Sequence, residues 1–151
     1  MRRWIAAALA LAAASSLDAQ TIGDMSTATP IAGSWTRMAI AGGSEATFTD
    51  AANRPQLTLR CTRLSRLVTI VRPASAAAAS LNVWTSTMTR ALPARFDSAT
   101  MRLSADLTAF DPLLDAMAFS RGRFAVGVAG QPPLVVPPWA DVARIVEDCR
   151  V

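Results

Sequence analysis

Alternation of apolar and polar residues dominates the chain after residue 33. The clearest example runs from Gln56 to Cys61, where Leu57, Leu59 and Cys61 lie on one side of the pattern. A period of two residues is typical of a half-buried strand. By the same pattern, strands are expected at 34–40, 45–49, 67–72, 81–87, 101–107, 123–128 and 134–136. Residues 89–96 contain Pro93 and predict an irregular or edge strand.

The period changes after residue 110, which indicates a short internal helix. Aspartate is favoured as the N-cap of a helix and proline at the first helical position, which are the places predicted for Asp111 and Pro112. An apolar stripe follows, formed by Leu113, Leu114, Met117 and Ala118. Gly122 is expected to end this helix in a left-handed cap.

A second helix is predicted over residues 138–149. Its apolar face is expected to hold Trp139, Val142, Val146 and Cys149. Strands followed by helices predict a mainly β protein of the α+β class. We expect a small antiparallel β-sandwich or curled sheet, with one short internal helix and one C-terminal helix, as a single domain over 34–151. Residues 20–33, rich in Thr, Ser, Ala and Gly, predict a flexible lead-in.

The N-terminus has the pattern of an export signal. Arg2 and Arg3 precede an uncharged, mostly apolar stretch at 4–17, which is shorter than the ~20 residues of a membrane span. Cleavage is expected after Ala19, with Ala14 as the alternative. The mature chain would have no transmembrane segment and would be periplasmic or secreted. Loss of Arg2, Arg3 and Asp18 would lower the net charge from +4 to +3.

In an oxidising compartment the two cysteines are expected to pair. Cys61 lies on the inward side of a predicted strand, and Cys149 on the apolar face of the last helix. No CxxC spacing is present, and no histidine is available to activate a thiolate. We therefore predict a structural Cys61–Cys149 disulfide that pins the C-terminal helix to the sheet.

Composition excludes several kinds of chemistry. The chain has 151 residues, of which 52% are hydrophobic and 17% charged, and it contains no His, Lys or Tyr. Histidine-dependent triads and metal sites are therefore excluded, and Ser120 has neither a histidine nor a lysine to activate it. Asp106, Asp111 and Asp115 leave a carboxylate-dependent hydrolase as an alternative. We predict no enzyme activity, no cofactor and no metal site.

Arginines form the candidate binding groups. Arginine binds phosphate and carboxylate groups with paired hydrogen bonds. The candidates cluster around the Cys61 hairpin or flank Gly122, and they are Arg60, Arg63, Arg66, Arg72, Arg121 and Arg123. The modest net charge and the lack of a nucleic-acid motif argue against nucleic acid. Trp35, Trp84 and Trp139 are expected to pack in the core rather than stack on a ligand.

The segment Leu57-Thr58-Leu59-Arg60-Cys61 is followed by a tail of strand, turn, short strand and helix that ends in Cys149. With this order of elements, residues 56–150 resemble small exported alphaproteobacterial proteins, namely the invasion-associated locus B family and the periplasmic accessory proteins of type VI secretion. The resemblance implies the cell envelope of a Gram-negative bacterium and carries over no functional residue. The sequence thus predicts an exported, non-enzymatic envelope protein that binds an unknown envelope protein or an anionic polymer. A secreted hydrolase inhibitor, presenting a rigid turn such as 131–133, is the main alternative.

Overall fold

Two antiparallel sheets face each other in the computed structural model, which describes residues 24–151. The larger sheet contains β1 (Gly33–Ile40), β2 (Gly43–Asp50), β3 (Pro55–Thr62), β4 (Leu67–Pro73), β7 (Arg95–Asp97) and β8 (Arg102–Thr108). Its strand order is β1-β2-β3-β4-β8-β7. The smaller sheet contains β5 (Ser80–Trp84), β6 (Thr89–Pro93), β9 (Phe124–Val128) and β10 (Leu134–Val136), in the order β10-β9-β5-β6. The predicted α+β class with antiparallel sheets is confirmed.

Strand alternation decides which side chains reach the core. In β3, Leu57, Leu59 and Cys61 are buried, and the residues between them face outward. Aromatic rings connect the two layers, because Trp35 of β1 lies 5.5 Å from Phe48 and stacks at 6.4 Å on Phe124 of the smaller sheet. The Trp35 indole also donates a hydrogen bond of 2.8 Å to the carbonyl of Pro137. The opposite face of the larger sheet carries mainly polar residues.

The segment predicted as a single irregular strand at 89–96 forms two strands in different sheets. β6 ends at Pro93 and belongs to the smaller sheet, whereas β7 begins at Arg95 and joins the larger one. Proline has no N–H to continue a ladder, so pairing stops there and the chain changes layer. Ala94 is held at the crossing by a hydrogen bond of 3.0 Å from its N–H to the carbonyl of Ala79.

The internal helix, α1 (Pro112–Ala118), begins as predicted. The carboxylate of Asp111 accepts a hydrogen bond of 2.9 Å from the N–H of Leu113. The expectation that Gly122 caps the helix is wrong, because α1 already ends at Ala118 and Phe119 is its C-cap. Gly122 does adopt a left-handed backbone, with φ of 71°, but in the turn that leads to β9.

The C-terminal helix, α2 (Ala140–Arg150), begins two residues later than predicted. Trp139 has an extended backbone and is 47% exposed, so its placement on the buried face is wrong. Trp139 is the N-cap of α2, the residue before the first helical one, and its side chain therefore lies outside the helical phase. Trp35 and Trp84 are buried, as expected. No helix of residues 24–151 has the length and apolar character needed to cross a membrane.

The predicted disulfide is confirmed and joins α2 to the inner face of the larger sheet. Cys61 and Cys149 are bonded with their Cα atoms 5.4 Å apart. Buried residues of α2 pack against β2, β3 and β4. At the edge strand, the Arg37 guanidinium lies 2.8 Å from the Asp148 carboxylate. The last helix is thus fastened to the sheet by a covalent bond, by apolar packing and by an ion pair.

The predicted signal peptide, residues 1–19, and its cleavage positions lie outside the described residues. Residues 24–32, the described part of the predicted lead-in, contact the body of the domain. The N–H of Ile31 donates to the carbonyl of Val135 at 3.0 Å, and the Arg123 guanidinium donates to the carbonyl of Ala28. This part of the lead-in therefore lies against the smaller sheet.

Candidate anion-binding site

The sheet separates the four arginines that the sequence places around the Cys61 hairpin. Arg60 lies on the outer face of β3, and Arg72 lies on the inner face of β4. Arg63 and Arg66 lie in the exposed connection between these two strands. The four arginines of the predicted cluster therefore lie in three different environments, which differ in how accessible the guanidinium groups are to an anion.

Arg72 is buried between the sheets, with only 6% of its surface exposed. Its guanidinium donates to the carbonyl of Val126 in β9 and, at 2.8 Å, to the carbonyl of Pro132. Burial lowers the pKa of Arg72 to about 10, so the group is still charged at neutral pH. The prediction that Arg72 belongs to a surface cluster of arginines is wrong. Its guanidinium N–H groups donate to carbonyl groups of its own chain and are not free to bind an anion.

We expect Arg72→Met to lower the free energy of unfolding by about 2 kcal/mol, because two carbonyl oxygens lose a charged donor. Release of the buried charge offsets part of this loss. Arg60→Met, a matched change at an exposed ion pair, is expected to cost less than about 1 kcal/mol. Urea unfolding of both variants measures the difference. Equal losses would show that the two Arg72 bonds stabilise the protein no more than the exposed Arg60–Glu45 pair does.

Arg60 is neutralised by a carboxylate on the neighbouring strand. Its Nη2 lies 2.6 Å, and its Nε 2.7 Å, from the same oxygen of Glu45, its cross-strand partner in β2. An anion at Arg60 would have to displace this carboxylate. Arg60 is therefore a weaker candidate than the arginines of the adjoining turn.

Arg63 and Arg66 project from the tip of the β3–β4 hairpin. Both are exposed, and neither has an ion-pair partner within residues 24–151. The turn is ordered by its backbone: Arg63 N–H donates to the carbonyl of Gly42 at 3.0 Å, and Arg66 N–H to that of Arg63 at 3.2 Å. Arg66 has a φ of 50°, in the left-handed region that favours glycine.

Two exposed apolar residues lie at the same end of the sandwich. Leu64, between the two arginines, is 99% exposed, and Phe110 is 62% exposed. The loop that carries Phe110 is bonded to the hairpin turn, since Ala109 N–H donates to the Arg66 carbonyl at 2.8 Å. We call Arg63, Leu64, Arg66 and Phe110 the cationic tip. The arginines were predicted from the sequence, whereas Leu64 and Phe110 were missed.

Arg150 supports the Phe110 side of this tip. Its guanidinium carbon lies 5.5 Å from the centre of the Phe110 ring, within the range of a cation–π contact. Its Nε donates to the carbonyl of Ala109 at 2.9 Å, and its guanidinium pairs with Asp115 at 2.9 Å. The end of α2 thus holds the loop of the tip in place.

Arg121 and Arg123 lie apart from the hairpin, at a cavity of about 380 Å³ beside the lead-in. Arg123 is partly engaged by the carbonyl of Ala28 and faces the Asp24 carboxylate. Hydrogen bonds from Ser26 lower the pKa of Asp24, and the charge of Arg123 lowers it further. Because Asp24 is ionised at this cavity, it repels a second anion, and Arg121 is the more available of the two arginines.

The carboxylates of the hydrolase alternative are each paired with a different arginine. Asp106 lies 2.7 Å from Arg95, and Asp111 lies 2.7 Å from Arg90. Asp115 pairs with Arg150, as described above. No two of the three share a partner, so their arrangement is that of separate surface ion pairs.

Ser120 is tied to neighbouring loops. Its hydroxyl accepts a hydrogen bond of 2.9 Å from the N–H of Ser86 and donates to the carbonyl of Arg123. Only 4% of the residue is exposed. Both bonds fit a structural role, in which Ser120 fastens the chain after α1 to the β5–β6 connection.

Comparison with protein-family models, curated proteins and solved structures finds no match to this chain. The resemblance to exported envelope proteins stays a prediction.

Proposed function

We propose that the protein is an exported, non-enzymatic component of the cell envelope that binds an anionic partner through the cationic tip. The observation that carries this proposal is the pair Arg63 and Arg66, exposed on one turn without a carboxylate partner within residues 24–151. The Cys61–Cys149 disulfide supports export, because such bonds persist in oxidising compartments.

The alternatives have weaker support from the same structure. An inhibitor that presents the turn at 131–133 would need that turn to project, whereas the Pro132 carbonyl is bonded to buried Arg72. A carboxylate-dependent hydrolase would need two acidic groups facing one substrate, whereas the predicted aspartates are separately paired. Binding of an anion by the cationic tip would leave both the Arg72–Pro132 hydrogen bond and the ion pairs of the aspartates in place.

Retention on dextran sulfate tests the proposal. We expect the double variant Arg63→Gln/Arg66→Gln to elute at clearly lower salt than the wild type, because two close charges act together on a polyanion. The control is Arg102→Gln/Arg144→Gln, which has the same net charge and changes two exposed arginines away from the tip. Elution of both double variants at the same salt concentration would show that only net charge matters and would overturn the proposal.

A further inference from the structure

We infer that the anionic partner of the cationic tip is a lipid surface, into which Leu64 and Phe110 insert between the headgroups. This inference rests on the proposed function, since it names the partner of the same arginines. It adds a role for two apolar side chains that binding by charge alone leaves unexplained.

Leu64 is the first of these side chains. At 99% exposure it has almost no contact with the rest of the chain, so it contributes almost nothing to the core. Turn positions usually carry Gly, Asn, Asp or Ser, and a leucine there leaves its whole apolar surface in water. Transfer of this surface into the acyl-chain boundary of a bilayer is favourable.

The neighbouring charges match an anionic bilayer. Arg63 and Arg66 flank Leu64, so their guanidinium groups can contact phosphates while the leucine lies deeper. The carboxylates of the adjoining segment are already neutralised, because Asp111 pairs with Arg90 and Asp115 with Arg150. Asp111 and Asp115 therefore do not oppose Arg63 and Arg66. Glu147 of α2, which lies on the same surface as Arg150 and Asp115, is the exposed carboxylate of this part of the chain without an ion pair among residues 24–151.

Phe110 extends the apolar part of the tip. Its ring is 62% exposed and is oriented by Arg150 at 5.5 Å. Phe and Leu are typical of the apolar face of segments that lie at the boundary of headgroups and acyl chains, with Arg on the polar side. The hydrogen bond between Ala109 and Arg66 keeps this ring and the hairpin turn at one end of the molecule.

A lipid surface accounts for more of these features than a polymer or a protein does. A sulfated or phosphorylated polymer would contact the arginines but leave Leu64 in water. A stable protein partner buries about 800 Å² on each side, typically about 20–30 residues, whereas the cationic tip consists of four residues. A convex tip of two cations and two apolar side chains suits a deformable anionic surface.

Sedimentation with vesicles tests the inference. We expect the protein to bind vesicles of equal parts phosphatidylglycerol and phosphatidylcholine, and to bind phosphatidylcholine alone far more weakly. Leu64→Ser should lower the partition coefficient about fivefold, because the inserted apolar surface is lost. Each of Arg63→Gln and Arg66→Gln should lower it about fivefold as well. Met101→Ser, at a 46% exposed residue beyond the opposite end of β8, should leave it unchanged.

Retention on dextran sulfate separates the two proposals. Leu64→Ser should be retained like the wild type, because its charges are intact. If the wild type shows tip-dependent retention on dextran sulfate but Leu64→Ser and the wild type partition equally into vesicles, the lipid inference fails and the proposed function stands. If the arginine variants match their charge control on dextran sulfate, the proposed function itself fails.

Fluorescence of Leu64→Trp in a Trp139→Phe background measures insertion, because Trp139 is 47% exposed and would itself be open to quenchers, whereas Trp35 and Trp84 are buried. With anionic vesicles we expect a blue shift and quenching by lipids brominated on their acyl chains, since the indole would lie below the headgroups. A tip that only touches the surface would instead remain open to quenching by iodide in water. That result would overturn insertion even if vesicles are bound.

Discussion

Removal of the disulfide in Cys61→Ala/Cys149→Ala is expected to lower the free energy of unfolding by about 4 kcal/mol. The bond closes a loop with a sequence separation of 88 residues, for which the chain-entropy relation gives about 4.5 kcal/mol. A single domain has only about 5–15 kcal/mol in total. The loss is therefore a large part of the total stability, although the other apolar contacts of α2 are kept.

Urea unfolding measures this effect. Wild type under oxidising conditions is compared with the double variant and with wild type in reductant, and the latter two should have similar midpoints. Both cysteines are fully buried, so the alanine variant also loses some packing that the reduced protein keeps. A loss below about 1 kcal/mol in both would mean that packing alone holds α2 on the sheet.

The pairing of these cysteines was predictable because each lies on a strongly periodic segment. Two-residue alternation placed Cys61 inward, and the helical period placed Cys149 inward, so only one long-range contact had to be inferred. The cap of α1 was predictable for a similar reason, since Asp111 and Pro112 act on their immediate neighbours. Local patterns were informative wherever the structure-forming interaction is itself local.

The errors arise where a neighbour in sequence is not a neighbour in space. The segment at 89–96 looks like one strand, but Pro93 ends its ladder and the next residues pair with another sheet. Trp139 fits the helical spacing, yet it is the N-cap of α2, so its backbone is extended and its side chain lies outside the helical phase. In both cases the period of the side chains continues past the residue at which the backbone changes conformation.

The candidate site shows the same limit. Arg72 has the same strand parity as Val68 and Ile70, so its inward direction was present in the sequence. Its partners were not, because Val126 and Pro132 follow it by more than 50 residues. Leucine is usually buried, so its residue type did not indicate that Leu64 is exposed. Phe110 lies at the same end of the molecule because its neighbour Ala109 is hydrogen-bonded to Arg66, a contact between two loops that the sequence pattern does not predict.

Val146→Asp is expected to destabilise the protein by about 3–5 kcal/mol, because it places a carboxylate without a partner in the core. Val146 is 2% exposed on the face of α2 that meets the sheet, together with Val142, Ile145 and Cys149. To escape burial, the new carboxylate must be protonated or the helix must move away from the sheet. The disulfide at Cys149 opposes such movement, so we expect the cost to appear as a lower urea midpoint.

Glu147→Gln is the matched control, one residue further along the same helix. Glu147 is exposed and forms no ion pair within residues 24–151, so this change should alter stability by only about 0.5 kcal/mol in either direction. The two residues are neighbours in the sequence, but their side chains point about 100° apart around the helix axis. Their comparison therefore tests which face of α2 is buried. A larger loss for Glu147→Gln than for Val146→Asp would mean that α2 meets the sheet with a different face, and the inward direction of Cys149 would then be contradicted as well.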